Sequence, residues 1–149
     1  MKKLLLIALG LMLFSLALPS CSSDTGSAGI GADNTLLYKI AIERYINAYI
    51  RADLDTVLDS LDPDGPMYPD PEEIQHLQDT AAESSLEGEA SVTDLTILEE
   101  SSNRARVRVT IFMRLDLYGE GNFEEDTSEV TIELTLKDGK WRLYDATEN

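Results

Sequence analysis

From Arg104 onward the chain alternates apolar and polar side chains: "RARVRVTIFMRLDLY" places Ala105, Val107, Val109, Ile111, Met113, Leu115 and Leu117 on one side. Arg104, Arg106, Arg108, Thr110, Phe112, Arg114, Asp116 and Tyr118 fall on the other. A period of two over so long a run requires a β-strand with one face on a core. "EVTIELTLK" repeats the pattern with Val130, Ile132, Leu134 and Leu136, "KWRLYD" adds Trp141 and Leu143, and residues 93–99 offer an earlier strand with Leu95 and Ile97. Asp138-Gly139 is a strong two-residue hairpin signal, and it pairs Leu136 with Trp141 and Leu134 with Leu143. Taking "GEGN" (residues 119–122) as a four-residue loop pairs Ile111 with Val130 and Val109 with Ile132, and sets Arg108 opposite Glu133. The expectation is an antiparallel meander of about four strands.

The preceding segment has a different period. Leu37, Ile40, Ala41, Tyr45, Ala48 and Ala52 follow helical spacing, and Ile42, Ile46, Tyr49 and Ile50 widen the apolar side. Lys39, Glu43, Asn47 and Arg51 make one polar stripe, with Glu43 placed to meet Lys39. Asp53 is an expected N-cap for a short second helix over residues 54–61.

The acidic stretch "LDPDGPMYPDPEE" (residues 61–73) fails as a calcium loop. With Gly65 at the sixth position, Ser60 and Pro71 stand where the ion needs an aspartate and a bidentate glutamate. Pro63-Asp64-Gly65 instead suits a turn, with the Asp64 side chain bonding its own backbone and Gly65 free to take positive φ. Asp70 is an N-cap, Pro71 a first helical residue, and Glu73 completes a capping box. Ile74, Leu77, Ala81 and Leu86 are the expected buried side of this third helix. Helices followed by a meander make the fold class α+β, with N-terminal helices packed on a curved antiparallel sheet.

"YINAYIRADLDTVLDSLDPDG" and "LKDGKWRLYD" resemble the entry and closing segments of the nuclear transport factor 2-like superfamily, the cystatin-like or SnoaL-like cone. The resemblance covers residues 35–145. It implies helices over a curved sheet that encloses a cone able to hold a small ligand, and in some members an isomerase, dehydratase or cyclase site. Related cones often dimerise through the sheet, so a homodimer of that kind is one expected partner.

The residues argue for binding over chemistry. The inward strand positions are almost all aliphatic. His76, the one histidine, sits between Ile74 and Leu77, and Asp94, Asp116 and Asp145 fall at outer or strand-end positions that read as solvated. No catalytic residue, cofactor or metal is expected, and a His/Cys metal site is excluded by count, with one of each. Tyr38, Tyr45, Tyr49 and Trp141 are the candidate lining of a pocket for a small apolar ligand, with ordinary core packing as the alternative. Arg104, Arg106 and Arg108 face Glu129 and Glu133 as a cross-strand charge lattice, or as an anion strip or protein docking face. Phe112, Tyr118 and Tyr144 add a modest apolar patch to that face.

The first residues, "MKKLLLIALGLMLFSLALPSCSS", carry Lys2 and Lys3 before an apolar run over residues 4–18. That run is shorter than the roughly 20 residues of a membrane span. Leu18-Pro19-Ser20-Cys21 resembles a bacterial lipoprotein signal, which implies cleavage before Cys21 and acylation of that cysteine. The expected organisation is residues 1–20 as signal peptide, 21–34 as lipidated cysteine and flexible tether, and 35–149 as the folded domain. The Ser/Gly/Ala-rich composition of residues 22–34 supports the tether. Ser22 stands where an aspartate would resemble an inner-membrane retention signal, which leans the placement toward an outer membrane.

The chain has 12 basic and 28 acidic residues; losing Lys2 and Lys3 leaves 10 against 28, a formal −18. Such a chain has no basic footprint for nucleic acid, and anionic head groups repel it, so attachment to a membrane has to come from lipid. The expected function is that of an extracytoplasmic lipoprotein at the cell or outer membrane, acting as a noncatalytic small-ligand or protein-binding accessory domain. The alternatives are an isomerase- or hydratase-like enzyme of the same cone and a purely structural envelope protein.

Overall fold

A computed structural model describes residues 34–83, 86–116 and 119–148. The signal peptide, Cys21, the tether, Leu117, Tyr118 and the Ala81 side chain lie outside the described residues. Residues Thr35–Asn149 form one compact unit. Its elements are α1 (Thr35–Ile50), α2 (Leu54–Ser60), α3 (Pro71–Glu83), β1 (Glu87–Glu100), β2 (Arg104–Asp116), β3 (Phe123–Lys137) and β4 (Lys140–Glu148). The strands make a four-stranded antiparallel sheet in the order β1-β2-β3-β4.

The hairpin between β3 and β4 follows the sequence. Asp138 (φ 52°) and Gly139 (φ 75°) both take positive φ, as a type I′ turn requires, and Leu136 pairs with Trp141 and Leu134 with Leu143. One extra residue, Tyr144, then bulges from β4 before Glu133 meets Asp145.

The β2–β3 register differs from the expected one by two residues. Val109 pairs with Val130 and Ile111 with Ser128, and Arg106, not Arg108, lies opposite Glu133. The observed register also sets Arg114 opposite Glu125, where the expected one sets Asp116 against Glu125, two like charges. The longer connection is held by Asp116, whose buried carboxylate accepts N–H bonds from Glu120 (3.3 Å) and Gly121 (2.6 Å). Asp116 is therefore a turn acceptor and not a solvated outer residue. A shift of two preserves which side chains face the core, so the inward set holds.

β1 begins at Glu87, earlier than its hydrophobic pattern announces. Ala90 and Val92 are buried, while Leu95 and Ile97 have the opposite parity. A bulge between Val92 and Asp94 reconciles them, and a second follows between Ile97 and Glu99.

α1 packs differently from its apparent apolar face. Tyr38, Ile42, Ala48 and Ile50 are buried, whereas Leu37 and Ile40 are 50% and 52% exposed. The reason lies in the expected polar stripe. β1 is an edge strand whose outward backbone groups need partners. Asn47 Nδ2 donates to Ala90 O (2.8 Å), its Oδ1 accepts from Ala90 N (3.0 Å), and Glu43 Oε1 accepts from Val92 N (2.8 Å). Two residues that read as a solvent stripe thus cap the sheet edge. The other edge is covered as well: Leu61 bridges Leu143, and Asp62 N donates to Leu143 O (2.8 Å).

The caps formed as read. Asp53 accepts from Thr56 N (3.2 Å), and Asp70 Oδ1 accepts from Glu72 N and Glu73 N while Asp70 N donates to Glu73 Oε2, each at 2.9 Å. The turn after α2 is real, with Gly65 N donating to Asp62 O (2.9 Å), but its chemistry differs. The carboxylate that closes it belongs to Asp62, which accepts from Asp64 N (2.9 Å). Gly65 is required by proximity: a Cβ there would sit 2.6 Å from Tyr144 O.

Candidate functional site

Among the described residues the four aromatic candidates fall in two pairs. Tyr38 has no exposed surface; its ring meets Trp141 edge-on at 4.9 Å, and its hydroxyl donates to Glu100. Tyr45 and Tyr49, two turns further along α1, form a separate tilted pair at 6.5 Å. Burial, and to a smaller extent Tyr49, pushes the Tyr45 hydroxyl well above the usual phenol range, and burial raises Tyr49 too. Both phenols therefore stay protonated, as donors rather than bases. Around Tyr38, the helix-covered face of the sheet is filled by Ile42, Val107, Val109, Ile132, Leu134 and Leu143, each at most 3% exposed.

His76 is exposed on α3, and the Asp145 carboxylate accepts from Ala146 N (2.8 Å). Neither stands opposite a tyrosine in a described cavity. Among the described residues no group of three His, Cys, Asp or Glu side chains could hold a metal ion.

The polar cluster that the sequence did not announce centres on Asp62, whose side chain is 1% exposed. Thr135 Oγ1 donates to its Oδ2, and Lys137 Nζ bridges Asp62 Oδ1 and Asp64 Oδ2, each at 2.5 Å. Burial pushes the Asp62 carboxyl up, but the Lys137 ammonium, the Thr135 hydroxyl and Asp64 N–H outweigh it and hold the group below the usual carboxylate range. Beside it, Arg44 (2.7 Å), Lys140 (3.3 Å) and Arg142 (3.6 Å) converge on Asp59. These carboxylates are spent on tying the loop and α1 to the β3–β4 hairpin. A sign was available, since Thr135 and Lys137 stand on one face just before the hairpin, but nothing local says that an acidic loop reaches them.

The opposite face of the sheet carries a cross-strand charge lattice, in which Arg108–Glu129 is the expected contact. Arg106 meets Glu99 (3.5 Å), Arg108 meets Glu129 (4.0 Å) and Arg114 meets Glu125 (3.9 Å). Arg104 stacks over Tyr144 at 4.9 Å and Arg114 over Phe123 at 4.5 Å. At the β1–β2 end of this lattice lies an open cleft of about 310 Å³, lined by Glu99, Ser101, Arg104, Arg106, Glu133 and Thr135 among others. Its walls combine exposed Glu99, Ser101, Arg104 and Arg106 with buried Ala105, Leu134 and Thr135.

Known proteins agree on the architecture. A ketosteroid isomerase-like protein from Erwinia carotovora atroseptica superposes with a TM-score of 0.52 at 17% identity, covering 76% of this chain and 93% of its own. A protein of unknown function with a cystatin-like fold from Nostoc punctiforme gives 0.58 at 12%, covering 78% and 90%. A nuclear transport factor 2-like superfamily protein from Salmonella enterica gives 0.56 at 11%, covering 77% and 89%. At such identities the likeness shows the fold alone, and the fold is the nuclear transport factor 2-like cone. No curated protein sequence matches. The family model for the C-terminal domain of anti-sigma-I factor RsgI9 matches residues 41–149, from within α1 to the chain end, and this chain belongs to that family.

Proposed function

We propose that this chain is a membrane-tethered, extracytoplasmic binding domain that acts by docking a protein partner on the open face of its sheet, without chemistry of its own. The observation that carries the reading is the filled helix-covered face, where Tyr38, Val107, Val109, Ile132, Leu134 and Leu143 pack. A cone enzyme needs an acid or base against a bound substrate in that space. The space here is occupied by aliphatic side chains. A small apolar ligand is disfavoured for the same reason, while the open face offers unburied arginines, glutamates and a cleft. The tether reading rests on Lys2, Lys3, the apolar run and Cys21, which resemble a lipoprotein signal. The family model describes part of an anti-sigma-I factor, so we read the docking as regulatory, a domain outside the cytosol whose occupancy is relayed by a partner.

Three measurements test this. Mass spectrometry of the N-terminal peptide from bacterially processed protein is expected to find an acylated Cys21. Native mass spectrometry of the purified chain is expected to show no retained small molecule, and a photocrosslinker at position 106 is expected to capture one discrete protein in the cell. A stoichiometric small molecule lost on Tyr45→Ala or Tyr49→Ala would sink the protein-docking reading.

A further inference from the structure

Leu36, Leu37 and Ile40 are 63%, 50% and 52% exposed, and they stand at i, i+1 and i+4 at the start of α1. Positions 36 and 40, and 37 and 40, are neighbours on a helix surface, so the three make one apolar ridge. Among the described residues only Leu98 and Phe123 are otherwise large, apolar and exposed, so such a ridge calls for an occupant. We infer that it rests on the lipid surface beside the anchor. This rests on the proposed acylation of Cys21.

Position chooses the lipid surface over other occupants. Leu36 lies 15 positions after Cys21, so the ridge is the first part of the folded domain that the tether delivers to the bilayer. A Gly/Ser-rich chain of that length has an r.m.s. span of about 19–23 Å. It holds the ridge at an effective concentration on the order of millimolar at the surface, so an intrinsically weak contact is populated. Lys39 and Arg44, 42% and 43% exposed, border the ridge, each paired with a carboxylate, Glu43 (3.8 Å) and Asp59 (2.7 Å). Their stems can lie along the acyl boundary with the charge at the head groups. Seated this way, α1 meets the membrane.

The test uses the full acylated chain in phosphatidylcholine vesicles containing a doxyl-lipid quencher. Cys21 is consumed by the lipid, so Ile40→Cys introduces the one labelling site, and Gln78→Cys on α3 serves as the distant control. The expected result is at least about threefold stronger quenching of the fluorophore at 40 than at 78. A second reporter at Lys39→Cys is quenched in the parent and falls to the control level when Leu36, Leu37 and Ile40 are all changed to Ser. Equal quenching at 40 and 78 overturns the proposal, and so does quenching that survives the serine changes, because tether length alone then explains it. A probe at 40 that is dry without vesicles, with a dimeric mass, overturns it in favour of a second copy. An unmodified Cys21 by mass spectrometry removes the anchor reading and the ridge proposal with it, a failure distinct from an acylated protein with a wet ridge.

Discussion

Removing the Asp62 carboxylate by Asp62→Ala strips the β4 edge of its one buried anionic acceptor among the described residues. Three donors lose a partner: Lys137 Nζ, Thr135 Oγ1 and Asp64 N. Lys137 is one-third exposed and keeps Asp64, so water compensates most of its loss. Thr135 is 7% exposed and its hydroxyl is left to find another acceptor inside the protein. Asp64 is exposed and its N–H finds water, whereas hydrogen bonds to a charged group are worth about 1.5–3 kcal/mol, so the Thr135 donor sets an expected cost of about 1.5–3 kcal/mol. For a domain near 115 residues that is a Tm loss of about 6–12 °C. Urea unfolding at pH 7 measures it, and the pH dependence identifies its origin. The folded Asp62 carboxyl lies below its unfolded value of about 3.9. Its contribution is then fully present above that value and is lost as pH falls through the folded value. The gap between parent and variant should therefore hold from pH 7 to about 4.5 and narrow below about 3.9. A gap under about 1 kcal/mol at pH 7, or one unchanged at the lowest pH where both fold, would refute the assignment of Asp62 as the charged tie of loop to sheet.

Gly65→Ala should cost about 1–3 kcal/mol by urea unfolding, because its Cβ meets Tyr144 backbone that cannot rotate away; a neutral result would mean that the loop stands off β4. Asn47→Ala leaves both backbone groups of buried Ala90 unpaired, an expected loss of about 1–3 kcal/mol. Hydrogen exchange at the Ala90 amide should quicken more than at Val109, and equal change at both would show global destabilisation only. Asp70→Ala removes the cap of α3 and should cost about 0.5–2 kcal/mol, read as faster exchange confined to the first turn of that helix.

Much of the fold was legible because it depends on local rules. Period-two alternation located β2, β3 and β4, Asp138-Gly139 set one hairpin, and Asp53 and Asp70 marked two helix starts. The β2–β3 register escaped, since loop length was taken from turn residues while the choice lay with Asp116 and with Arg114 meeting Glu125 across the strands. The start of β1 escaped too: "EGEASV" has weak strand character, and a bulge hides its phase. At the site, alternation placed Arg104, Arg106 and Arg108 on one face and foretold the Arg108–Glu129 pair, whereas the pairing of Arg106 with Glu99 and the separation of Tyr38–Trp141 from Tyr45–Tyr49 depend on tertiary packing.

The amino-acid order alone established an α+β chain, its helix caps, the parity of its strands, its acidic balance and an apolar run near its N-terminus, because each depends on composition or on neighbours a few residues apart. Tertiary packing decided which side of α1 is wet, why Gly65 must be glycine, and that Asp62 is buried against Thr135 and Lys137, 73 and 75 positions away. Those outcomes turn on unpaired backbone at the sheet edges and on groups that meet only after the chain has closed. A sequence pattern carries no measure of which distant surface will satisfy them.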